Sequence, residues 1–306
     1  MIDEASVVRL LAGEPLDGAR LLATDIQELG LERRDGRVML PQGLERLEER
    51  RVVDALSSRA VGYWPHIELV AMDESTNSTL LAAGELARGR VRAAEFQFGG
   101  RGRRGKEWLS PIGRNLSMSL AWVTTRKLHD LEGLSLVVGL ALADVLQTAG
   151  VQGVGLKWPN DVLLNSAKLA GVLIELQPLG EDTLVVIGVG VNYNSATITR
   201  ARVPQPIADL AEAHPQIGRN ALLSMLINGL ADYLAQYELQ GFSAMLEAWQ
   251  SLHVFQGRRV RLDVGPTSVF GTVVGVTATG CLSLRTDQGV ETFRAGEVSL
   301  RGVEGS

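Results

Sequence analysis

A single cysteine, Cys281, stands in 306 residues, so an internal disulfide and a thiolate-held zinc cluster are both excluded. The four histidines, His66, His129, His214 and His253, show no i, i+4 pairing, and no Gly-x-Ser-x-Gly elbow occurs. Neither a histidine-metal hydrolase nor a serine hydrolase is supported. The most apolar stretch, Gly133 to Ala143, has 11 uncharged residues between Glu132 and Asp144, against the roughly 20 that cross a bilayer. It reads as a buried helix. The opening MIDEASVVRLLAGEP sets two acids before its first apolar run and lacks the basic start of a secretory signal, so a cytoplasmic location and no membrane partner are expected. A net charge of −5, from 30 Lys+Arg and 35 Asp+Glu, gives the whole chain no attraction to nucleic acid, and any basic patch must be local. What remains is ordinary globular usage, 45% hydrophobic and 21% charged, in a chain long enough for roughly two to three domains.

Residues 1–60 are net acidic, with short amphipathic segments at Val7 to Leu11 and Leu21 to Leu29, then GLERRDGRVMLP, whose Asp35-Gly36 pair signals a hairpin. The pattern is that of a small winged-helix-like domain. From 61 to 255 strands and helices alternate: IELVAMDES, VRAAEFQF, NLSMSLAWV, a helix from Glu132 to Ala149, GVGLKWPNDVLL, LAGVLIELQ, TLVVIGVGVN, and helices over Asn220–Tyr237 and Phe242–Ser251. This is an α+β domain around a mixed sheet. Between Asn192 and Asn220 the sequence loses periodicity, as in a long mobile loop over a site. Residues 256–306 alternate in the β manner, Val260, Leu262 and Val264 against Arg259, Arg261 and Asp263, and predict a small barrel of four or five strands.

The sharpest chemical feature is Gly99-Gly100-Arg101-Gly102-Arg103-Arg104-Gly105-Lys106, directly after the strand-like AEFQF. Glycines let backbone approach an anion and successive amides form a nest, while arginines add bidentate bonds. An anionic, phosphorylated ligand is implied over a solvated hairpin tip. Two formal motif matches fail. Gly100, Gly102 and Gly105 fit a dinucleotide fingerprint, but Trp108 to Pro111 opens no helix and no acid follows at ribose distance. Gly100 to Lys106 fits a P-loop core, but Glu107 occupies the magnesium-binding Ser/Thr position.

Lys157-Trp158-Pro159-Asn160-Asp161 alone is as well explained by a turn as by a site. A hairpin that returns Lys168 beside Lys157 favours a site, where two cations, a carboxamide and a carboxylate serve a nucleotide and its magnesium. Asp73 to Asn77 ends a strand before a helix, and a plain N-cap at Ser75 or Thr76 accounts for it.

Taken in order, Ser75-Thr76-Asn77, EFQFGGRGRRGKEW at Glu95 to Trp108, KWPND at Lys157 to Asp161, KLAGVLIE at Lys168 to Glu175 and GVGVN at Gly188 to Asn192 closely resemble the biotin protein ligases, over about residues 65–302. The resemblance implies a central biotin/lipoate ligase-type catalytic domain with a C-terminal SH3-like barrel. It also implies a two-step reaction. Biotin is activated by ATP as biotinyl-5′-AMP, then transferred to a lysine of the biotin carboxyl carrier protein of acetyl-CoA carboxylase. Carried over by position, Ser75, Thr76, Asn77, Gln97, Gly100, Arg101, Gly102, Arg103, Lys168 and Gly171 bind biotin. Arg103, Arg104, Trp108, Lys157, Asn160, Lys168 and Asn192 hold the nucleotide. Arg103, Lys168 and Asp161 carry the chemistry, with Asp161 also the candidate for Mg2+. In two-function members of the family an N-terminal winged helix represses the biotin operon. Here the first helix and the wing remain without the stretch that would enter the major groove, which argues against operator DNA. The alternatives are a biotin-sensing repressor as second activity and a lipoate-type ligase. Exposed sheet edges leave a homodimer open.

Overall fold

The computed structural model describes residues 2–19, 21–127, 131–200, 202–295 and 298–302. Arg20 and His129 lie outside them. Among the described residues no helix is long and apolar enough to cross a membrane.

The N-terminal unit is built on α1 (Glu4–Leu11), β1 (Leu16–Asp17), α2 (Ala23–Glu28), β2 (Glu32–Arg34) and β3 (Arg37–Met39), with sheet order β1-β3-β2. Asp3 caps α1 by accepting from the Ser6 amide at 2.8 Å. Asp35 and Gly36, at φ 48° and 77°, make the tight turn of the hairpin. Val7, Leu10, Leu11, Ile26 and Val38 form its core together with Phe96 and Ile112 of the next unit, so the two are packed as one body.

Before the central sheet stand two helices that the sequence pattern does not mark, α3 (Glu49–Val53) and α4 (Ser58–Tyr63). They are too short, and too rich in arginine, to show a 3.6-residue pattern. Val52, Ala60 and Trp64 are buried in the central core, and the Ser57 amide donates to Asn228 Oδ1 at 2.8 Å. Residues 49–63 therefore pack with the central unit, although the sequence grouped them mostly with the N-terminal one.

The central sheet runs β4-β5-β6-β10-β9-β8-β7. Its strands are β4 (His66–Val70), β5 (Arg90–Ala94), β6 (Asn115–Thr124), β7 (Val154–Lys157), β8 (Asp161–Leu164), β9 (Ala167–Leu179) and β10 (Asp182–Asn192). Only β4 and β5 pair in parallel, which makes the sheet mixed. Helix α5 (Thr76–Ala83) covers one face, while α6 (Leu134–Thr148) and α9 (Arg219–Gln240) cover the other. Along β10 the period of two assigns the faces. Val185, Ile187, Val189 and Val191 enter the large core, whereas Leu184 and Val186 pack with Leu80 of α5. Continuing that second face come Gly188, Gly190 and Asn192.

Strand β5 ends at Ala94, before the expected AEFQF extension, and Gln97 makes only single bridges to Asp73 and Ser110. The segment after Asn192 is not the bare loop expected. It carries α7 (Ala196–Thr199) and α8 (Leu210–Ala213), and Lys168 binds it through both backbone groups, donating to Pro206 O at 2.8 Å and accepting from the Ala208 amide at 3.0 Å. We refer to residues 194–200 and 202–207 as the strap. After α10 (Leu246–Leu252) come β11 (Arg259–Val264), β12 (Thr267–Val276), β13 (Leu282–Thr286), β14 (Gly289–Phe293) and β15 (Val298–Gly302) in an antiparallel sheet ordered β14-β13-β12-β11-β15. It docks at the KWPND hairpin, where Trp158 Nε1 donates to Gly280 O at 3.0 Å.

Candidate active site

Three glycines open the floor of the site. At Gly188 a β-carbon would lie 2.3 Å from Asn77 Oδ1, at Gly190 2.4 Å from Trp108 Cε2, and at Gly171 3.2 Å from Lys168 Nζ. None of the three has a positive φ. They are needed for room, so that side chains from α5 and from the basic loop lie flat against β9 and β10.

At one end stands a buried, uncharged polar cluster. Ser75 caps α5, and the Thr76 amide and hydroxyl both donate to Gln97 Oε1, at 2.8 and 3.0 Å. Ser119 lies 2.6 Å from the Thr76 hydroxyl and donates to Asn77 Oδ1 at 2.5 Å. Asn77 in turn donates to Glu175 Oε2 at 2.9 Å. Each of these groups is fixed by its neighbours, so the cluster presents a set arrangement of hydroxyls and carboxamides.

The glycine-arginine loop folds as a flap. Its base is pinned by Gly99 N donating to Glu74 O and Trp108 N to Gly100 O, both at 2.8 Å, and its arms by Gly102 N to Lys106 O at 2.7 Å. Gly100 is buried behind the wall, where a β-carbon would lie 2.5 Å from Trp108 O. It shapes the flap and, unlike its expected role, does not line the cavity. Arg101 is held by Ser78 Oγ at 2.9 Å and Glu175 at 3.2 Å, while Arg103 Nη1 donates to Asn160 Oδ1 at 3.2 Å. Burial pulls the pKa of Arg103 down, opposed by Asp161 and assisted by Arg104.

At the other end the hairpin register sets Lys157 opposite Asp161 and Asp161 opposite Gly171. Lys168 Nζ is 2.7 Å from Asp161 Oδ1 and 5.7 Å from the centre of the Trp108 ring. Burial lowers the pKa of Lys157, with Asp161 opposing and Lys168 adding to the fall. Asn192 Nδ2 donates to Lys168 O at 3.1 Å. Trp108 Nε1 is buried with no acceptor among the described residues.

Both ends open on one cavity of about 820 Å³. Of the residues singled out from sequence, Ser75, Thr76, Asn77, Gln97, Arg101, Gly102, Arg103, Arg104, Trp108, Lys157, Asn160, Asp161, Lys168, Gly171 and Asn192 all line it. The strap residues Thr199, Arg202 and Val203–Ile207 lie in its wall, in line with the expected loop over a site, whereas no sequence signal places Ser119 or Leu300–Gly302 of β15 there. Glu175 holds both Asn77 and Arg101, and its place in KLAGVLIE carries no signal of that part. The strap gave no periodic signal, and β15 lies far away in the chain. No group of three or more His, Cys, Asp or Glu able to hold a metal occurs among the described residues. The arrangement is a slot with a neutral hydrogen-bonding end and a cationic end.

Residues 69–192 match the model of the biotin/lipoate A/B protein ligase family, and 255–301 that of the biotin protein ligase C-terminal domain. The chain is 37% identical over 267 residues to the bifunctional ligase/repressor BirA of Escherichia coli, covering 87% of this chain and 81% of the relative. It is 33% identical over 242 residues to the biotin–[acetyl-CoA-carboxylase] ligase of Paracoccus denitrificans, covering 76% of this chain and all of the relative, 100%. A biotin protein ligase from Aquifex aeolicus, solved in complex with biotin and ATP, superposes with a TM-score of 0.68 at 26% identity, covering 78% of this chain and 100% of that one.

Proposed function

The chain belongs to the biotin protein ligases, and from that premise we propose how its residues divide the work of activating biotin with ATP and passing it to a carrier lysine. The observation that carries the proposal is the polarity of the slot: Thr76, Asn77, Gln97 and Ser119 at one end, Arg103, Lys157 and Lys168 at the other, on one cavity. Biotin has the same polarity, with a neutral cyclic urea that donates and accepts at one end and a carboxylate at the other.

In the first step a biotin carboxylate oxygen attacks the α-phosphorus of ATP, forming a C(O)O–P bond as the bond to pyrophosphate breaks. Lys168 brings two like-charged reactants together and stabilises the negative charge on the reacting phosphate, and Arg103 retains the adenylate once it has formed. Lys157 and Asn160 hold the phosphates, and Asp161 aims Lys168 through their 2.7 Å ion pair. Trp108, whose Nε1 lacks an acceptor, and Asn192 border the nucleotide. In the second step the neutral carrier amine attacks the carbonyl carbon, AMP leaves with the electron pair of the C–O bond, and the amine nitrogen gives up its extra proton to solvent water. A Mg2+ accompanying ATP would offset phosphate charge, and Asp161 is the side chain that would contact it. Asp161 is the one carboxylate of the expected set at this end and is already paired with Lys168, so the protein donors do not make a metal cage.

The N-terminal unit is read as a remnant with little repressor activity. Between α1 and α2 its described residues form only β1, and the stretch 1–60 is net acidic, so phosphate neutralisation has no basis there. The test is incubation with labelled biotin, ATP and a biotin carrier domain, with a lipoyl domain in parallel. Label on the carrier alone is expected. Label on the lipoyl domain with lipoate, and none on the carrier with biotin, would replace this reading by the lipoate-type one.

A further inference from the structure

The last turn of α2 touches both walls that close over the cavity. Leu29 O accepts from the Ile112 amide at 3.1 Å, at the return of the basic flap. Gly30 O accepts from Arg114 Nε and Nη2, both at 3.3 Å. The same guanidinium donates from Nη1 to Asn194 O at 3.1 Å, and the Asn194 amide donates back to Arg114 O at 2.7 Å. Arg114 is thus clamped between the end of α2 and the first residue of the strap.

The approach is close. Gly30 has φ 75°, and a β-carbon there would lie 2.7 Å from Arg114 Nε and 3.1 Å from Ile198 Cδ1 in α7. Further along the strap, Arg202 pairs with Glu28 of α2 at 3.0 Å and faces Glu107 of the flap at 3.9 Å. These two pairs are partly exposed and individually weak. The fork of Arg114 is different, because it is partly withdrawn from water, its pKa drawn down by burial, and it serves two backbone carbonyls whose loss leaves them unpaired.

We propose that Arg114 is a positioning residue that fixes the strap against the N-terminal unit and so governs how firmly the cavity retains the activated acid. The N-terminal unit then acts as a buttress for the site. The retention part rests on the ligase reading; the fixing of the strap does not. Lysine keeps the charge but has no planar fork to span both carbonyls.

The experiment uses the full chain as wild type, Arg114→Ala and Arg114→Lys. In ligand-free protein, amide hydrogen exchange is followed at Ser195, Ile198, Thr199 and Val203. Release of pre-formed biotinyl-5′-AMP is measured by chase, and the single-turnover rate of adenylate formation at saturating substrates is measured alongside. In Arg114→Ala the strap amides are expected to exchange about tenfold faster, with α9 unchanged. Release is expected to accelerate about tenfold, while the single-turnover rate of adenylate formation shifts by less than about twofold. Arg114→Lys should fall between. Strap exchange equal to wild type, equal acceleration in α9, or unchanged release would each overturn the proposal. If the wild type labels no carrier, the ligase reading falls, and strap exchange still decides whether Arg114 fixes the strap.

Discussion

Arg219→Met is expected to be among the most damaging single substitutions in this protein. Arg219 is 1% exposed and Glu95 7%, and their side chains meet at 2.7 Å. The same guanidinium donates to Glu45 O at 2.7 Å and twice to Asn115 O, at 3.2 and 2.8 Å. Methionine fills much of the space but leaves the Glu95 carboxylate buried with one remaining donor described, the Leu47 amide at 2.6 Å. Breaking one side of such a pair costs about 3–5 kcal/mol, because the abandoned charge stays out of water. Removing both charges together is far less harmful, since the desolvation cost disappears with them. Urea unfolding should therefore show a loss of about 3–5 kcal/mol in Arg219→Met, and a much smaller one than the sum of the singles in Arg219→Met with Glu95→Gln. A single-variant loss below about 1 kcal/mol, or simple additivity, would refute the assignment of this pair as the pin joining the segment of Glu45 and Leu47 to β6 and α9.

Lys168→Ala should cut pyrophosphate release by about 10²–10³-fold, whereas Arg103→Gly should still form the adenylate but shed it into solution, measured as free biotinyl-5′-AMP without carrier. Gly188→Ala should raise the KM for biotin about tenfold or more and cost about 1–3 kcal/mol in melting experiments, because Asn77 is held by Ser119 and Glu175 and cannot swing away. An unchanged KM would count against Asn77 as a biotin contact. His253 stacks on Trp249 at 4.8 Å with Phe255 at 6.3 Å, and burial lowers its pKa from 6.5 to about 4. Between those values the unfolded chain binds a proton that the folded one refuses, so stability is expected to fall by about 3 kcal/mol as pH drops through that window. His253→Phe should remove this part of the slope in unfolding curves against pH.

The parts of the site legible in sequence were those encoded by local chemistry. The flap announced itself by glycine spacing and charge, and the convergence of Lys157 and Lys168 was legible over a short span, although the two stand on strands either side of β8 and meet at its Asp161 through two turns, not one hairpin. The α+β order and the alternating C-terminal strands were legible for the same reason, since periodicity is local. What escaped depends on residues far apart in the chain. Arg114 sits at the start of a strand, and nothing near it reveals that Gly30 and Asn194 complete its fork. The strap was legible as a loop over a site, but it has no repeating pattern to mark α7 or α8. Arg301 reaches the site only because the last described sheet docks on the KWPND hairpin. The Asp73–Asn77 segment showed the opposite ambiguity: the capping role of Ser75 and its place in the cavity wall turn out to coexist.

Gly188 and Gly190 occupy the middle strand of the sheet, flanked on both sides by full ladders to β6 and β9. Glycine is the residue such a strand accommodates least well. Engineering for heat resistance will therefore meet a conflict here. Valine at position 188 improves the strand only when Asn77 is trimmed to make way, and the more robust sheet that results has lost its grip on the small molecule. Durability and recognition compete for the same few cubic ångströms beside β10.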